Sequence, residues 1–305
     1  MTNELYRVHR PTKLVQVLGQ EPAVNQLKGM KAKNNIPHVI MFTGPSGCGK
    51  TTLARILARM LKIDQYDICE VNAANTKGID MVREISNSMG MRPLKSDKKM
   101  YIIDEAQQLT TAAQDSFLKP LEDTPAHVYF CICTTDPAKL KATIKTRCTE
   151  ISVRLLQSGD MERLIDSVCS AEEITLDEDV KSKLIQVAEG SARKALVLLH
   201  QVREIESSKE QMDCLTKQDA EKVGIDLCRA LANPKTKWPE VAAILKAMEQ
   251  DLESVRRQVL GYASACLLSQ GVVRYALILE SFESNLFDSG KAGLVLQTWN
   301  CFSVK

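Results

Sequence analysis

Along the first half of the chain, hydrophobic positions fall in short, nearly unbroken runs separated by stretches of helical period. The runs are residues 38–43, Ile68–Asn72, Met100–Asp104, Val128–Thr134 and Glu150–Val153. Runs of this length and solid apolar character predict strands buried on both faces, hence a parallel sheet covered by helices. After the first run, Leu53, Ile56, Leu57, Met60 and Leu61 share one face of a predicted helix. Beyond residue 153 the pattern turns helical. Helices are predicted over Asp160–Cys169, Asp177–Glu189 and Ser191–Glu206, each opening at or near a capping residue, with Gly190 separating the last two. Further helices are predicted after Gly224, over Ile225–Leu231, Pro239–Met248, Leu252–Ser269, Val272–Ser281 and Lys291–Phe302. Pro234 and Pro239 bound a loop carrying Trp238. The pattern predicts an α/β domain over 1–153, a helical domain over 154–222 and a second helical domain over 223–305.

Composition narrows the class. A chain of 305 residues exceeds one typical domain, and 44% hydrophobic residues suffice for packed cores. A net charge of +2 does not force a nucleic-acid partner, so any such contact must come from local clusters. The ten cysteines show no CxxC spacing and His9, His38, His127 and His200 form no cluster, so no zinc site is expected. Cys131 and Cys133 lie inside an apolar run and read as buried small hydrophobes. Cys48 is expected to be exposed in a loop, which argues against a disulfide framework. No signal peptide or apolar run of membrane-spanning length is present, so a cytoplasmic, reduced chain is expected.

The candidate chemistry begins with Gly44, Pro45, Ser46, Gly47, Cys48, Gly49, Lys50 and Thr51, which fit the pattern GxxxxGK[ST] between a predicted strand and a predicted helix. In such a loop, glycines let backbone N–H groups curl around phosphates, and the helix N-terminus adds partial positive charge. Lys50 would reach the β- and γ-phosphates and the Thr51 hydroxyl would ligate Mg²⁺, with Thr52, next in the helix, also expected at the nucleotide. The run Met100–Asp104 ends in two carboxylates. Asp104 at the strand tip would hold the metal, and Glu105 is placed to polarise an attacking water. A nucleoside triphosphate with Mg²⁺ is the expected ligand.

Around these motifs stand Tyr6 and Arg7, Arg10 and Pro11, Val17 to Gln20, Asp104 to Thr110, Thr134 to Pro137, Thr146 to Cys148 and Gly190 to Leu196. In this order they resemble an AAA+ clamp-loader ATPase, similar to bacterial gamma/tau and to replication factor C small subunits, over residues 5–205. The resemblance implies an α/β AAA+ module with a parallel five-stranded sheet and flanking helices, then a helical lid and a helical C-terminal collar. It also implies that Arg10, Pro11, Val17 and Leu18 wall the adenine pocket. Thr135 would be a sensor of the γ-phosphate and Arg193 a lid arginine reaching the nucleotide. Arg147 would act in trans on a neighbouring subunit's ATP, and Thr146 replaces the family's serine in that motif.

The same resemblance implies a sliding clamp, primer–template DNA and other loader subunits as partners, in a homo- or hetero-oligomeric, pentameric ring. Thr76, Lys77 and Arg83 at a helix start would face DNA phosphates, with Gln114 and Lys119 on the helix after the acidic pair. Ile85, Met89 and Met91 would form an apolar clamp contact, core packing being the alternative. Pro120 should kink or shorten its helix. The absence of a polymerase-binding tail and of a cysteine-rich zinc module fits a compact loader, phage-encoded and working in host cytoplasm. The alternative expectation is another AAA+ DNA-remodelling ATPase, such as a branch-migration or recombination factor.

Overall fold

The computed structural model describes residues 4–74, 78–248, 251–286 and 289–304, the side chains of 217–222 apart. Five strands, β1 (Val39–Thr43), β2 (Ile68–Asn72), β3 (Lys99–Asp104), β4 (Val128–Thr134) and β5 (Thr149–Ser152), match the expected runs to within one residue at each end. All neighbours pair in parallel, in the order β2-β3-β4-β1-β5. Helices in this region are α1 (Leu5–Val8), α2 (Glu21–Ala32), α3 (Lys50–Met60), α4 (Gly78–Met89), α5 (Thr111–Glu122), α6 (Ala142–Lys145) and α7 (Ser158–Glu172). The remainder are α8 (Glu178–Ala188), α9 (Ala192–Val202), α10 (Ser208–Ala232), α11 (Trp238–Lys246), α12 (Leu252–Gln270), α13 (Val273–Ser281) and α14 (Gly290–Ser303).

The chain divides into two compact units, Met1–Leu176 with Ala188–Arg203, and Asp177–Val187 with Glu204–Lys305. In the first, strand alternation sorts side chains into two cores. Val39 and Met41 face one side with Phe130 and Ile132, under Val82 and Ile85 of α4 and Phe117 of α5. Ile40 and Phe42 face the other with Cys131 and Cys133, under Leu27 of α2 and Leu53 and Leu57 of α3. Cys131 and Cys133 are fully buried, as expected, and burial pushes the Cys131 thiol up to about 12.

The second unit has its own core, with Leu227, Val255, Val259, Ile278 and Phe282 at its centre. It also buries an ion pair, in which Glu253 accepts from Arg256 at 2.6 and 2.9 Å and from the Leu286 amide at 3.0 Å. One expectation fails here. The boundary expected at 222/223 lies inside α10, which runs unbroken from Ser208 to Ala232. Gly224 is not a helix break. A Cβ on it would meet the Gln258 Cβ at 2.5 Å and the Val255 carbonyl oxygen at 3.0 Å, so glycine lets α10 pack tightly on α12. The helix expected over Ser191–Glu206 ends at Val202. No helix among the described residues is long and apolar enough to cross a membrane.

Candidate nucleotide site

The carboxyl ends of the parallel strands converge on one spot, as the topology of such sheets requires. From β1 the chain turns through Gly44–Gly49 into the N-terminus of α3, whose cap, Gly49, is left-handed. Two glycines are sterically obligatory. A Cβ on Gly44 would lie 1.9 Å from the Val153 carbonyl oxygen, and one on Gly47, at φ +74°, would lie 2.2 Å from Ser191 Oγ. Cys48 is only 5% exposed and packs into the core beneath α3, contrary to the expected exposed loop thiol. The tight curl of the loop turns its side chain inward.

Lys50, 6% exposed, donates to the carbonyls of Gly44 (2.8 Å) and Pro45 (2.7 Å), two of the three bonds its ammonium can make. The Thr51 hydroxyl donates to Asp104 Oδ2 at 2.9 Å, while Asp104 Oδ1 accepts the Glu105 amide at 3.0 Å. A hydroxyl and a carboxylate in contact present hard oxygens at one point, a donor set that fits Mg²⁺.

A cleft of roughly 500 Å³ joins these groups, and its lining brings together the P-loop from Ser46 to Thr52, Arg10, Pro11, Val17, Leu18, Asp104, Glu105 and Arg193. All belong to the first unit. Arg10 donates from Nε to the Thr52 hydroxyl at 3.0 Å. Burial lowers the Arg10 pKa, and the charges of Arg55 and Arg193 add to that against Glu70 and Asp104. Mutually repelling cations held in one cleft suit a polyanionic ligand. The Arg193 guanidinium lies 5.8 Å from the centre of the Tyr6 ring, a cation–π contact at the cleft wall.

Other expected site residues lie elsewhere. Thr135 is absent from the cleft lining and its amide donates to Gln107 Oε1 at 3.2 Å. Arg147 is paired with Glu122 at the end of α5. Among the expected DNA contacts, Thr76 and Lys77 lie outside the described residues. Arg83 is exposed and pairs with Asp80 at 3.3 Å, and Lys119 is exposed on α5. Gln114 does not face outward. At 5% exposure it donates to the carbonyls of Leu109 and Lys139 and accepts the Lys141 amide, tying α5 to the segment after β4. The expected apolar clamp surface is also corrected, because Ile85 and Met89 lie on the core face of α4 while Met91 stays 63% exposed. Pro120 is buried in the last turn of α5, which ends two residues later, consistent with a shortened helix.

Sequence reasoning missed Gln107, which joins Glu105 to β4, and the bidentate Arg55–Glu70 pair lining the cleft at 2.8 Å. The only signal for Gln107 was a glutamine two positions after the acidic pair. Nothing local marks Arg55 and Glu70, which meet only once β2 lies beside α3.

With this geometry in place, likeness to known proteins becomes informative. The family described as DNA polymerase III, delta subunit, matches residues 60–157, and magnesium chelatase, subunit ChlI, matches residues 13–101. DNA polymerase III subunit gamma/tau of Mycobacterium tuberculosis is 34% identical over 221 residues, covering 65% of this chain and 38% of that protein. Replication factor C subunit 3 of Schizosaccharomyces pombe is 33% identical over 195 residues, covering 63% and 57% respectively. Over about two thirds of its length the chain is similar to DNA polymerase III gamma/tau and replication factor C subunits. The chain spans only 39% of DNA polymerase III subunit tau of Bacillus subtilis, to which it is 30% identical over 218 residues and 65% of its own length. The AAA+ fold is shared more widely. The Thermotoga maritima RuvB Holliday junction branch migration motor superposes with a TM-score of 0.59 at 19% identity, over 79% of this chain and 86% of that one.

Proposed function

We propose that this chain is an ATP hydrolase subunit of a sliding-clamp loader, acting with primer–template DNA, a clamp and further loader subunits in a ring. The observation that carries the ATPase reading is the Thr51–Asp104 contact beside Lys50, in a cleft that Arg193 also lines. In this reading Lys50 exchanges the Gly44 and Pro45 carbonyls for phosphate oxygens, and the P-loop amides hold the rest of the triphosphate. Thr51 and Asp104 hold Mg²⁺, which when bound neutralises phosphate charge. Glu105 accepts the proton of the attacking water, Thr135 reads the γ-phosphate and Arg193 ties residues 154–222, acting as a lid, to the nucleotide. Arg10, Pro11, Val17 and Leu18 wall the base. Residues 223–305 serve as the oligomerising collar, and Arg147 reaches the ATP of the next subunit. Lys119 and Arg83 remain the proposed DNA contacts, and Met91 the proposed clamp contact.

The test is hydrolysis with and without partners. Primer–template DNA and a sliding clamp together should raise turnover, and Glu105→Gln should bind ATP yet lose it. Stimulation by a four-way junction alone would assign the chain to another AAA+ DNA-remodelling class.

A further inference from the structure

Gln107 sits in the short 3-10 turn Ala106–Gln108 that follows β3, two residues past Glu105. Its side-chain Nε2 donates to Glu105 Oε2. Its Oε1 accepts the Thr134 hydroxyl at 3.0 Å and the Thr135 amide at 3.2 Å. The amide has one chemically consistent orientation, because the Thr135 N–H can only donate and an ionised carboxylate can only accept. Thr134 is 1% exposed, and its hydroxyl oxygen also accepts the Asp136 amide at 3.2 Å, so the β4 end of this chain of bonds is anchored. The Glu105 end stands on left-handed backbone at φ +53°, off the line of β3. Glu105 is therefore oriented by a neighbouring strand as well as by its own.

We propose that Gln107 is a positioning residue for hydrolysis: it fixes the Glu105 carboxylate and couples it to the Thr134–Thr135 segment of β4. This rests on the reading of Glu105 as the group that polarises water. With one lone pair of Oε2 occupied by Gln107, the carboxylate is held as an acceptor and Oε1 is left for the water. A phosphate that shifts Thr135 then shifts Glu105 through a single side chain. The residue does not touch the nucleotide in this scheme, so its loss falls on kcat.

The test compares MgATP hydrolysis and nucleotide affinity for the full chain, Gln107→Ala, Gln107→Glu and Glu105→Gln. Gln107→Ala should lower kcat by about 10²-fold, the order expected for a misplaced catalytic group, with KM and nucleotide affinity within about twofold of the unmodified chain. Gln107→Glu, nearly isosteric, should keep the fold and place a second carboxylate against Glu105. It keeps an acceptor for Thr134 and Thr135 but has no N–H to give Glu105, so it should lower kcat as Gln107→Ala does, again with KM little changed. Wild-type kcat in Gln107→Ala or in Gln107→Glu, or equal losses of affinity and rate, would each overturn the proposal. Glu105→Gln separates the two levels. If it still hydrolyses ATP, the assignment of Glu105 fails; if it is inactive while Gln107→Ala is normal, only the role of Gln107 fails.

Discussion

The Arg147 guanidinium is paired with the carboxylate of Glu122, the last residue of α5, and donates a second bond to the Thr143 carbonyl at 2.7 Å. Lys119 lies three residues before Glu122 on the same helix, so the two share a face. Glu122 thus shares a helix with the proposed DNA contact Lys119 and an ion pair with the proposed trans-acting arginine. A guanidinium held at a carboxylate must exchange that partner to meet a neighbour's phosphate.

Arg147→Ala should leave ATP affinity and basal hydrolysis unchanged and remove partner-stimulated hydrolysis, a loss of about 10³-fold or more if the arginine contributes transition-state charge. Because both side chains are substantially exposed, Glu122→Gln should change unfolding stability by no more than about 1 kcal/mol. Steady-state rates with DNA and clamp, and thermal unfolding of both variants, check this. Undiminished stimulation in Arg147→Ala removes the trans role.

Gly47→Ala should weaken nucleotide binding by about tenfold or more, since left-handed backbone costs an L-residue roughly 1–2 kcal/mol. The new methyl would also meet Ser191 Oγ at 2.2 Å, at the residue whose hydroxyl caps α9 by accepting the Lys194 amide at 3.3 Å. Titration of a fluorescent nucleotide against both proteins reads the effect, and Gly29→Ala, where a Cβ meets nothing within 4 Å, serves as the control.

Acid stability should carry the signature of two carboxylates. Burial alone would raise the Asp67 pKa, but the Ser96 hydroxyl and the amides of Leu94, Lys95 and Ser96 overcome it and hold the group at about 2. The Arg256 guanidinium likewise holds Glu253 at about 2 against its burial, helped by the Leu286 amide and Arg257. Both folded values lie below those of the unfolded chain, near 4. Their stabilisation is therefore complete above about pH 5 and is lost as pH falls from about 4 towards 2. Asp67→Asn should flatten that part of the stability–pH curve, measured by urea unfolding between pH 2 and 6. Glu253→Ala, which leaves Arg256 buried without its partner, should cost on the order of 3–5 kcal/mol at neutral pH. An unchanged pH slope in Asp67→Asn would mean that its bonds survive protonation.

The strands were legible because each is a run whose apolar character reports burial on both faces, and the five observed strands fall within one residue of those runs. The P-loop was legible because its chemistry is contiguous, with glycines, a lysine and a hydroxyl all within one turn. Loop position does not give exposure at Cys48, because the curl of the loop points its thiol at the core. The burial of Gln114 has a related cause, and for Ile85 and Met89 the structure selects core packing, the alternative the pattern leaves open. A helix pattern shows which residues share a face, but not which neighbour covers that face. Gly224 carries the same lesson, since a glycine that breaks a helix and one that lets two helices touch look alike in one dimension.

By itself the amino-acid sequence determined the strand-forming segments, the phosphate loop and the acidic pair of Asp104 and Glu105. These depend on side-chain type and short-range period, which any chain carries before it folds. Only the tertiary structure decided that Thr51 meets Asp104, that Gln107 joins Glu105 to Thr134, that Arg55 meets Glu70 and that Arg147 meets Glu122. The strand order β2-β3-β4-β1-β5 places β3 beside β4 and so brings Gln107 to Thr134, while helix packing on the sheet sets the other pairs. Hydrogen bonds and ion pairs act over a few ångströms, so partners separated along the chain are chosen by packing of the whole sheet and its helices.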